Sequence, residues 1–238
     1  MTAADINSSK LDSLPDHPNL FKVVTDITSE EKLETTFEAA RAKFGVVACC
    51  VALASLDLSA LNHPDSLLDM EVSQFRRTFE VNVLGTFTTS KTWLHQLKKY
   101  GEPKTTRNAS LVIVGSESGH FGERSNPDYS SGKSAVQYGL LQSFKAAVPR
   151  IFEGARVNAI APGPVDTPQF KKECAENLRQ LYADSQATSA SAKPVPLEAV
   201  AKGIVFLASE SWSGSVMGHT LNVDGGKLGK LMWERDEF

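Results

Sequence analysis

Short apolar runs of strand length alternate along the chain with stretches whose apolar positions recur every three or four residues. The strand-like runs fall at residues 20–24, 46–53, 110–114, 155–160 and 220–223. Between the first two, Leu33, Phe37, Ala40 and Phe44 recur at spacings of four, three and four, which puts them on one helix face. Thr28 and Glu31 form a capping box that starts this helix. A longer helical pattern covers residues 73–100, another begins near Pro127, and a third, at 197–209, carries Val200, Ile204 and Leu207. Such alternation is the signature of an α/β fold, a parallel sheet covered by helices.

The segment 167–196 breaks the rhythm. It opens with a charged helical stretch and ends in a run of Ser, Ala and Thr with little to bury, which predicts a mobile flap over a site.

Composition narrows the class. At 238 residues the chain has the size of one domain, with 41% apolar and 22% charged residues, the globular average. Lys and Arg number 25 against 28 Asp and Glu, a net charge of −3 with no basic block, which argues against nucleic acid as partner. The longest apolar run, residues 46–54, is nine long, well short of a membrane span. The N-terminus lacks the basic and apolar regions of a signal peptide, so a cytoplasmic location is expected. Cys49 and Cys50 are adjacent and Cys174 stands apart, which gives neither a disulfide framework nor metal-ligand spacing; no metal is expected, and the cysteines read as small core residues.

Candidate chemistry converges on one helix start. Tyr129 and Lys133 are four residues apart, on one face. Ser116 lies 13 residues before Tyr129, directly after a strand, where ligands bind in parallel sheets. Asn82 and Gly85 are two poor helix formers inside the long helical pattern, and together they predict a local kink.

With these residues in view the sequence resembles the short-chain dehydrogenase/reductase family, from about Ala4 to the last strand. The resemblance is carried by Asn82 in NVLG, Ser116 in IVGSESG, Tyr129 and Lys133 in YSSGK, the run from Pro162 to Thr167, and NVDGG at 222–226. It implies a single, doubly wound, Rossmann-like domain. It also implies a catalytic tetrad of Asn82, Ser116, Tyr129 and Lys133 that moves a hydride between a nicotinamide and a carbonyl or alcohol carbon of a small organic substrate. Tyr129 would be the acid/base, its phenolate stabilised by the Lys133 cation one turn away; Ser116 would bond the substrate oxygen, and the backbone at Asn82 would hold a relaying water.

On the cofactor side the resemblance implies contacts from Asp5, Ile6, Asp26, Ile27, Ala52, Tyr129, Lys133, Pro162, Gly163, Val165 and Thr167. Asp5 would accept from a ribose 2′-hydroxyl and so favour NAD over NADP; on local grounds it equally suits the N-cap of a short helix. Asp26 and Ile27 would touch the adenine. The Val165 backbone and Thr167 hydroxyl would reach the carboxamide. The long helices at 73–100 and 128–149 would pair with copies of themselves, in a homodimer or homotetramer. Glu117, Ser118, His120, Phe121 and Phe170 would line the substrate pocket, with His120 equally readable as a surface loop histidine.

Two departures from the family pattern stand out. Cys49-Cys50-Val51-Ala52 replaces Asn-Asn-Ala-Gly, so Ala52 brings a methyl where the cofactor approaches. The glycine-rich loop expected some 20 residues before the acidic residue has no room, because Asp5 has four residues before it. Gly115, Gly119 and Gly122 follow a strand, but their spacing and the turn formers after them do not suit a phosphate loop. The sequence therefore predicts a fold lacking its first strand, with cofactor binding weakened or lost if that segment is truly absent. Three readings stay open: an NAD-dependent oxidoreductase, a cofactor-deficient remnant, or a non-redox cyclisation or elimination on the same scaffold.

Overall fold

The structure is a computed structural model and describes residues 1–233. Its strands are β1 (Thr2–Asp5), β2 (Phe21–Val24), β3 (Cys49–Ala52), β4 (Ser110–Val114), β5 (Arg156–Pro162) and β6 (Thr220–Val223), and every pairing between them is parallel. They form two hydrogen-bonded sheets, β1-β2 and β3-β4-β5-β6. The helices are α1 (Ser8–Asp12), α2 (Glu30–Phe44), α3 (Val72–Phe79), α4 (Thr86–Tyr100), α5 (Ser118–Phe121), α6 (Pro127–Ser134), α7 (Leu141–Ile151), α8 (Pro168–Glu176), α9 (Leu197–Ala208) and α10 (Glu210–Ser213).

The larger sheet is covered on both faces, and β4 shows how its sequence does this. Leu111 and Ile113 face one core with Leu33, Phe37, Trp93 and Leu141, from α2, α4 and α7. Val112, one step along, faces the other core with Val200 and Leu207 of α9. Successive residues of a strand point to opposite faces, so a continuous apolar run serves a sheet buried on both. Each fully buried Leu, Ile or Val contributes about 1.5–3 kcal/mol. The Arg156 side chain, at the start of β5, donates to the carbonyls of Leu207, Ala208 and Ser213, and so ties the end of α9 to the sheet.

Several boundaries differ from the sequence expectation for local reasons. Ser29, not Thr28, caps α2, because Thr28 is held by Asp26: its N–H and hydroxyl both donate to Asp26 Oδ1, at 2.9 and 2.7 Å. Phe44 is 41% exposed rather than packed, since α2 ends there and Gly45 reverses the chain at φ +82°. The strand expected at 46–53 shrinks to Cys49–Ala52, the part that pairs with β4. Of the apolar positions on α9, Val200 and Leu207 are buried, whereas Ile204 is partly covered. The expected kink at Asn82 is a π-helical turn, Glu80–Gly85, that joins α3 to α4. A second π turn, Ala135–Leu140, joins α6 to α7.

In the segment 167–196, α8 buries no residue, while Ser185, Thr188 and Ser189 beyond it are buried. Bridges tie this part down, Val165 to Val195 in parallel and Ser189 to Lys227 in antiparallel. Small side chains there permit close approach to the sheet rather than leaving the segment without contacts.

Candidate active site

The site forms where β4 ends and α6 begins. Ser116 follows β4 in a turn whose backbone is fixed from outside: its N–H donates to Gln137 Oε1 at 2.8 Å, and its hydroxyl accepts from Ser118 N–H at 3.2 Å. Gln137 is fully buried and explains two glycines of the turn. A Cβ at Gly115 would lie 2.1 Å from Gln137 Oε1, and one at Gly119 would lie 2.7 Å from its amide. Gly122, at φ +84°, ends α5. Gly115 and Gly119 therefore seat the Gln137 side chain, and Gly122 turns the chain out of α5.

Pro127 opens α6, and Asn126 before it is bonded to His63 and to the Asn62 carbonyl. Tyr129 and Lys133 then lie on the buried face of α6. Ser116 is the group that most favours the ionised Tyr129 hydroxyl. Lys133 Nζ lies 5.6 Å from the Tyr129 ring centroid and donates to the Val114 carbonyl at 3.0 Å and to Ser55 Oγ at 3.2 Å.

Burial dominates the electrostatics of the pair. It pushes the Tyr129 phenol up to about 12, a rise that the Ser116 hydrogen bond and Lys230 oppose and that Asp57 and Glu123 reinforce. It pulls the Lys133 ammonium down to about 8, against the attraction of Asp57. The expectation that Lys133 lowers the phenol's proton affinity is thus not met in this arrangement. The ammonium donates to Ser55 and to the end of β4, and desolvation acts on both groups.

Asn82 is buried in the π turn, and its amide clamps a neighbouring loop: Leu56 N–H donates to Oδ1 at 2.7 Å and Nδ2 donates to the Leu56 carbonyl at 2.9 Å. Its carbonyl accepts the Thr86 hydroxyl at 2.7 Å. Gly85 is explained by packing as well as by helix shape, since a Cβ there would meet Ile27 Cδ1 at 2.6 Å.

The residues expected on the cofactor side fall into separate groups. Asp5 ends β1 and accepts Asn7 N–H at 2.8 Å; Asn7, not Asp5, caps α1, and Ile6 between them is 68% exposed. Asp26 follows β2, where Thr28 holds its carboxyl below the usual range. Ala52 is buried at the end of β3. Pro162 ends β5, and Gly163 abuts Asp224, whose Cα would lie 2.9 Å from a Cβ at that position. Val165 bridges to Val195, and the Thr167 hydroxyl accepts Phe170 N–H at 3.0 Å as the N-cap of α8. Of the expected pocket residues, Glu117 is buried in an ion pair with Lys230. His120 is bonded to the Tyr138 hydroxyl and to Asn222 Oδ1, so it is neither a free loop residue nor an open contact.

A family model described as enoyl-(acyl carrier protein) reductase matches residues 3–227. The chain belongs to the short-chain dehydrogenase/reductase family. Within that family it is 33% identical over 208 residues to cis-4-hydroxycyclohexanecarboxylate dehydrogenase of Sinomonas cyclohexanicum, covering 86% of this chain and 75% of the relative. It is 29% identical over 231 residues to dehydrogenase/reductase SDR family member 6 of Danio rerio, covering 95% and 86%. A solved structure titled ElxO with NADP bound superposes with a TM-score of 0.80 at 25% identity, covering 94% of this chain and 86% of that one. Membership of this family makes the chain an NAD(P)-dependent oxidoreductase with a Rossmann-like α/β fold. Among the described residues no helix is long and apolar enough to cross a membrane, and no group of His, Cys, Asp and Glu is placed to hold a metal ion.

The residues present suit a dinucleotide at its two ends. Tyr129 and Lys133 supply buried polar groups, Asp5 ends β1 and Asp26 follows the neighbouring β2, while the space at Gly163 is taken by Asp224. Among the described residues, no strand leads into a helix through a glycine-rich turn that could cradle the pyrophosphate.

Sequence reasoning missed Gln137, Asp57 and the C-terminal lysines Lys227 and Lys230. Gln137 has a local signal, standing eight residues after Tyr129 on the same side of the helix. The lysines have none, because the fold brings them in from more than a hundred residues away.

Proposed function

We propose that this chain is a nicotinamide-dependent dehydrogenase/reductase acting on the alcohol or carbonyl of a small organic substrate, with Asn82, Ser116, Tyr129 and Lys133 as its working residues. One observation carries the reading: Tyr129 and Lys133 are buried on one face of α6 beside Ser116 at the carboxyl end of a parallel strand, with the Lys133 ammonium over the Tyr129 ring. The nicotinamide, when bound, supplies the hydride or accepts it. Tyr129 exchanges the proton of the substrate oxygen, and Ser116 donates a hydrogen bond to the same oxygen. Lys133, drawn toward neutrality by burial, passes protons between Tyr129 and the region of Ser55 and Asn82.

Asp5 and Ile6, Asp26 and Ile27, and Ala52 would hold the adenosine side of the cofactor; Pro162, Gly163, Val165 and Thr167 would hold the nicotinamide side. The carboxylate of Asp5 supports NAD over NADP, because it accepts from a 2′-hydroxyl and repels a 2′-phosphate. The split between the β1-β2 and β3–β6 sheets supports weakened affinity for the cofactor, since the described residues offer the pyrophosphate no helix N-terminus with a glycine turn. Within the segment 167–196, α8, which buries no residue, supports the reading of a flap over the substrate.

Exposed Leu84 and Phe87, together with the stacking of Phe87 on Phe144 at 6.2 Å, support pairing of two copies through α4 and α7 in a homodimer or homotetramer.

The test is turnover with NAD and NADP on alicyclic secondary alcohols, the class named by the Sinomonas relative, for wild type and Tyr129→Phe. Wild type should turn over and Tyr129→Phe should not, with an unchanged fold by circular dichroism. Near-normal activity of Tyr129→Phe overturns the assignment of that residue. Failure of wild type to bind NADH at millimolar concentration overturns the redox reading and leaves the remnant or non-redox alternatives.

A further inference from the structure

Five charged groups from three separate stretches of chain meet beside the site. Lys230 Nζ donates to Glu117 Oε1 at 2.7 Å and to Glu123 Oε1 at 2.5 Å. Lys227 Nζ lies 3.6 Å from Glu117 Oε1 and donates to the Asp184 carbonyl at 2.5 Å. The side chains of Glu117, Lys227 and Lys230 are nearly all buried, at 5%, 0% and 9% exposure. Burying these three ionisable groups is costly unless the arrangement achieves something beyond stability.

Its position says what that is. Glu117 follows Ser116, and Glu123 Oε1 accepts the hydroxyl of Ser118, whose N–H in turn donates to Ser116 Oγ. A line of hydrogen bonds therefore runs from Lys230 through Glu123 and Ser118 to Ser116, the residue whose side chain bears on the Tyr129 hydroxyl. Three carboxylates, on Glu117, Glu123 and Asp184, face two ammoniums, so removal of Lys230 leaves the negative charge beside the phenol uncompensated. The second oxygen of Glu117, Oε2, has no partner among the described residues, so that carboxylate has no other cation to turn to besides Lys227.

We propose that Lys230 is a positioning residue for the Tyr129–Ser116 pair: by clasping Glu117 and Glu123 it fixes the loop that carries Ser116, and it offsets their charge at the Tyr129 hydroxyl. The inference rests on Tyr129 being the acid/base. The groups that bear on Tyr129 are Asp57, Glu123 and Lys230, with Lys133 over its ring. Those that bear on Lys230 are Glu117 and Glu123, and the cluster is completed by Lys227 and Asp184.

The experiment reads the phenol directly, without turnover. Protein labelled with difluorotyrosine, whose fluorines bring ionisation into a range where the protein stays folded, is titrated by fluorine NMR, with the Tyr129 resonance assigned from Tyr129→Phe. Lys230→Met should move the Tyr129 ionisation up by about one unit, Glu123→Gln should move it down, and the double variant should fall between them. Lys230→Arg should restore the wild-type value, and the limb of the kcat pH profile should follow the same order. A Lys230→Met protein with lower stability and an unmoved Tyr129 titration makes the cluster structural only and overturns the proposal. If that variant does not fold, an unmoved titration in Glu123→Gln overturns it equally. A titration that moves as stated in a protein without turnover refutes the dehydrogenase reading and leaves this inference standing.

Discussion

The carbonyl oxygen of the Gln137 side chain accepts the backbone N–H of Ser116 at 2.8 Å, two helical turns beyond Tyr129. One buried amide thus fixes the turn after β4 against the helix that carries the tyrosine, which sets the hydroxyl of Ser116 and that of Tyr129 from a common support.

Gln137→Leu leaves the Ser116 N–H buried without a partner, which costs about 1–3 kcal/mol. Denaturant midpoints should show that loss, with kcat reduced more than KM raised. Gly115→Ala should cost a similar amount, because its Cβ would lie 2.1 Å from Gln137 Oε1 and displacing that amide breaks its bond to the Ser116 N–H. Soluble yield and thermal midpoint check this.

Lys133 reverses the usual link between function and stability. Its ammonium titrates near 8, below its ordinary 10.5, because burial disfavours the charge. A depressed value gives a contribution that is fully present above pH 10.5 and is lost as pH falls through 8. Relative to Lys133→Met, wild type should therefore become less stable across that window, by up to about 3 kcal/mol. Urea denaturation of both proteins at pH 7 and near pH 10.5 should show the variant the more stable at the lower pH only, while its turnover is lost.

Asn82→Ala removes both hydrogen bonds to Leu56 and leaves a buried N–H and C=O behind. A loss of about 2–4 kcal/mol is expected, as two unsatisfied groups. Asn82→Asp keeps an acceptor for the Leu56 N–H but sets a buried carboxyl oxygen against the Leu56 carbonyl, so its thermal stability should fall at least as far as that of the alanine variant. Wild-type stability in both variants would argue against the clamp.

Asp5→Ser takes away the carboxylate at the end of β1 while its hydroxyl can still accept from Asn7 N–H, as Asp5 does at 2.8 Å. The ratio of kcat/KM for NADP over NAD should rise about tenfold or more, because a charge repelling the 2′-phosphate is gone. An unchanged ratio would move the discrimination elsewhere.

The sequence was most legible where one kind of residue serves one environment. β4 begins and ends where its strand-like run does, because a strand buried on both faces carries an apolar run with sharp limits. Tyr129 and Lys133 share a helix face, as a spacing of four requires. Legibility failed where two local signals competed: Thr28 looks like a cap, yet Asp26 holds it and Ser29 takes the role. It failed also where a residue's role is a distant contact. Gly85 reads as a helix breaker and turns out to be space for Ile27, and Glu117 reads as a pocket residue but is bound to Lys230.

The order of residues by itself determined the α/β class, the parallel sheet and the grouping of Ser116, Tyr129 and Lys133, because periodicity and helix spacing are local and short-ranged. Only the tertiary structure decided the state of those groups. Proton affinities depend on burial and on charges brought from afar: Tyr129 is raised and Lys133 lowered by desolvation, and the nearby carboxylates are balanced by lysines from the far end of the chain.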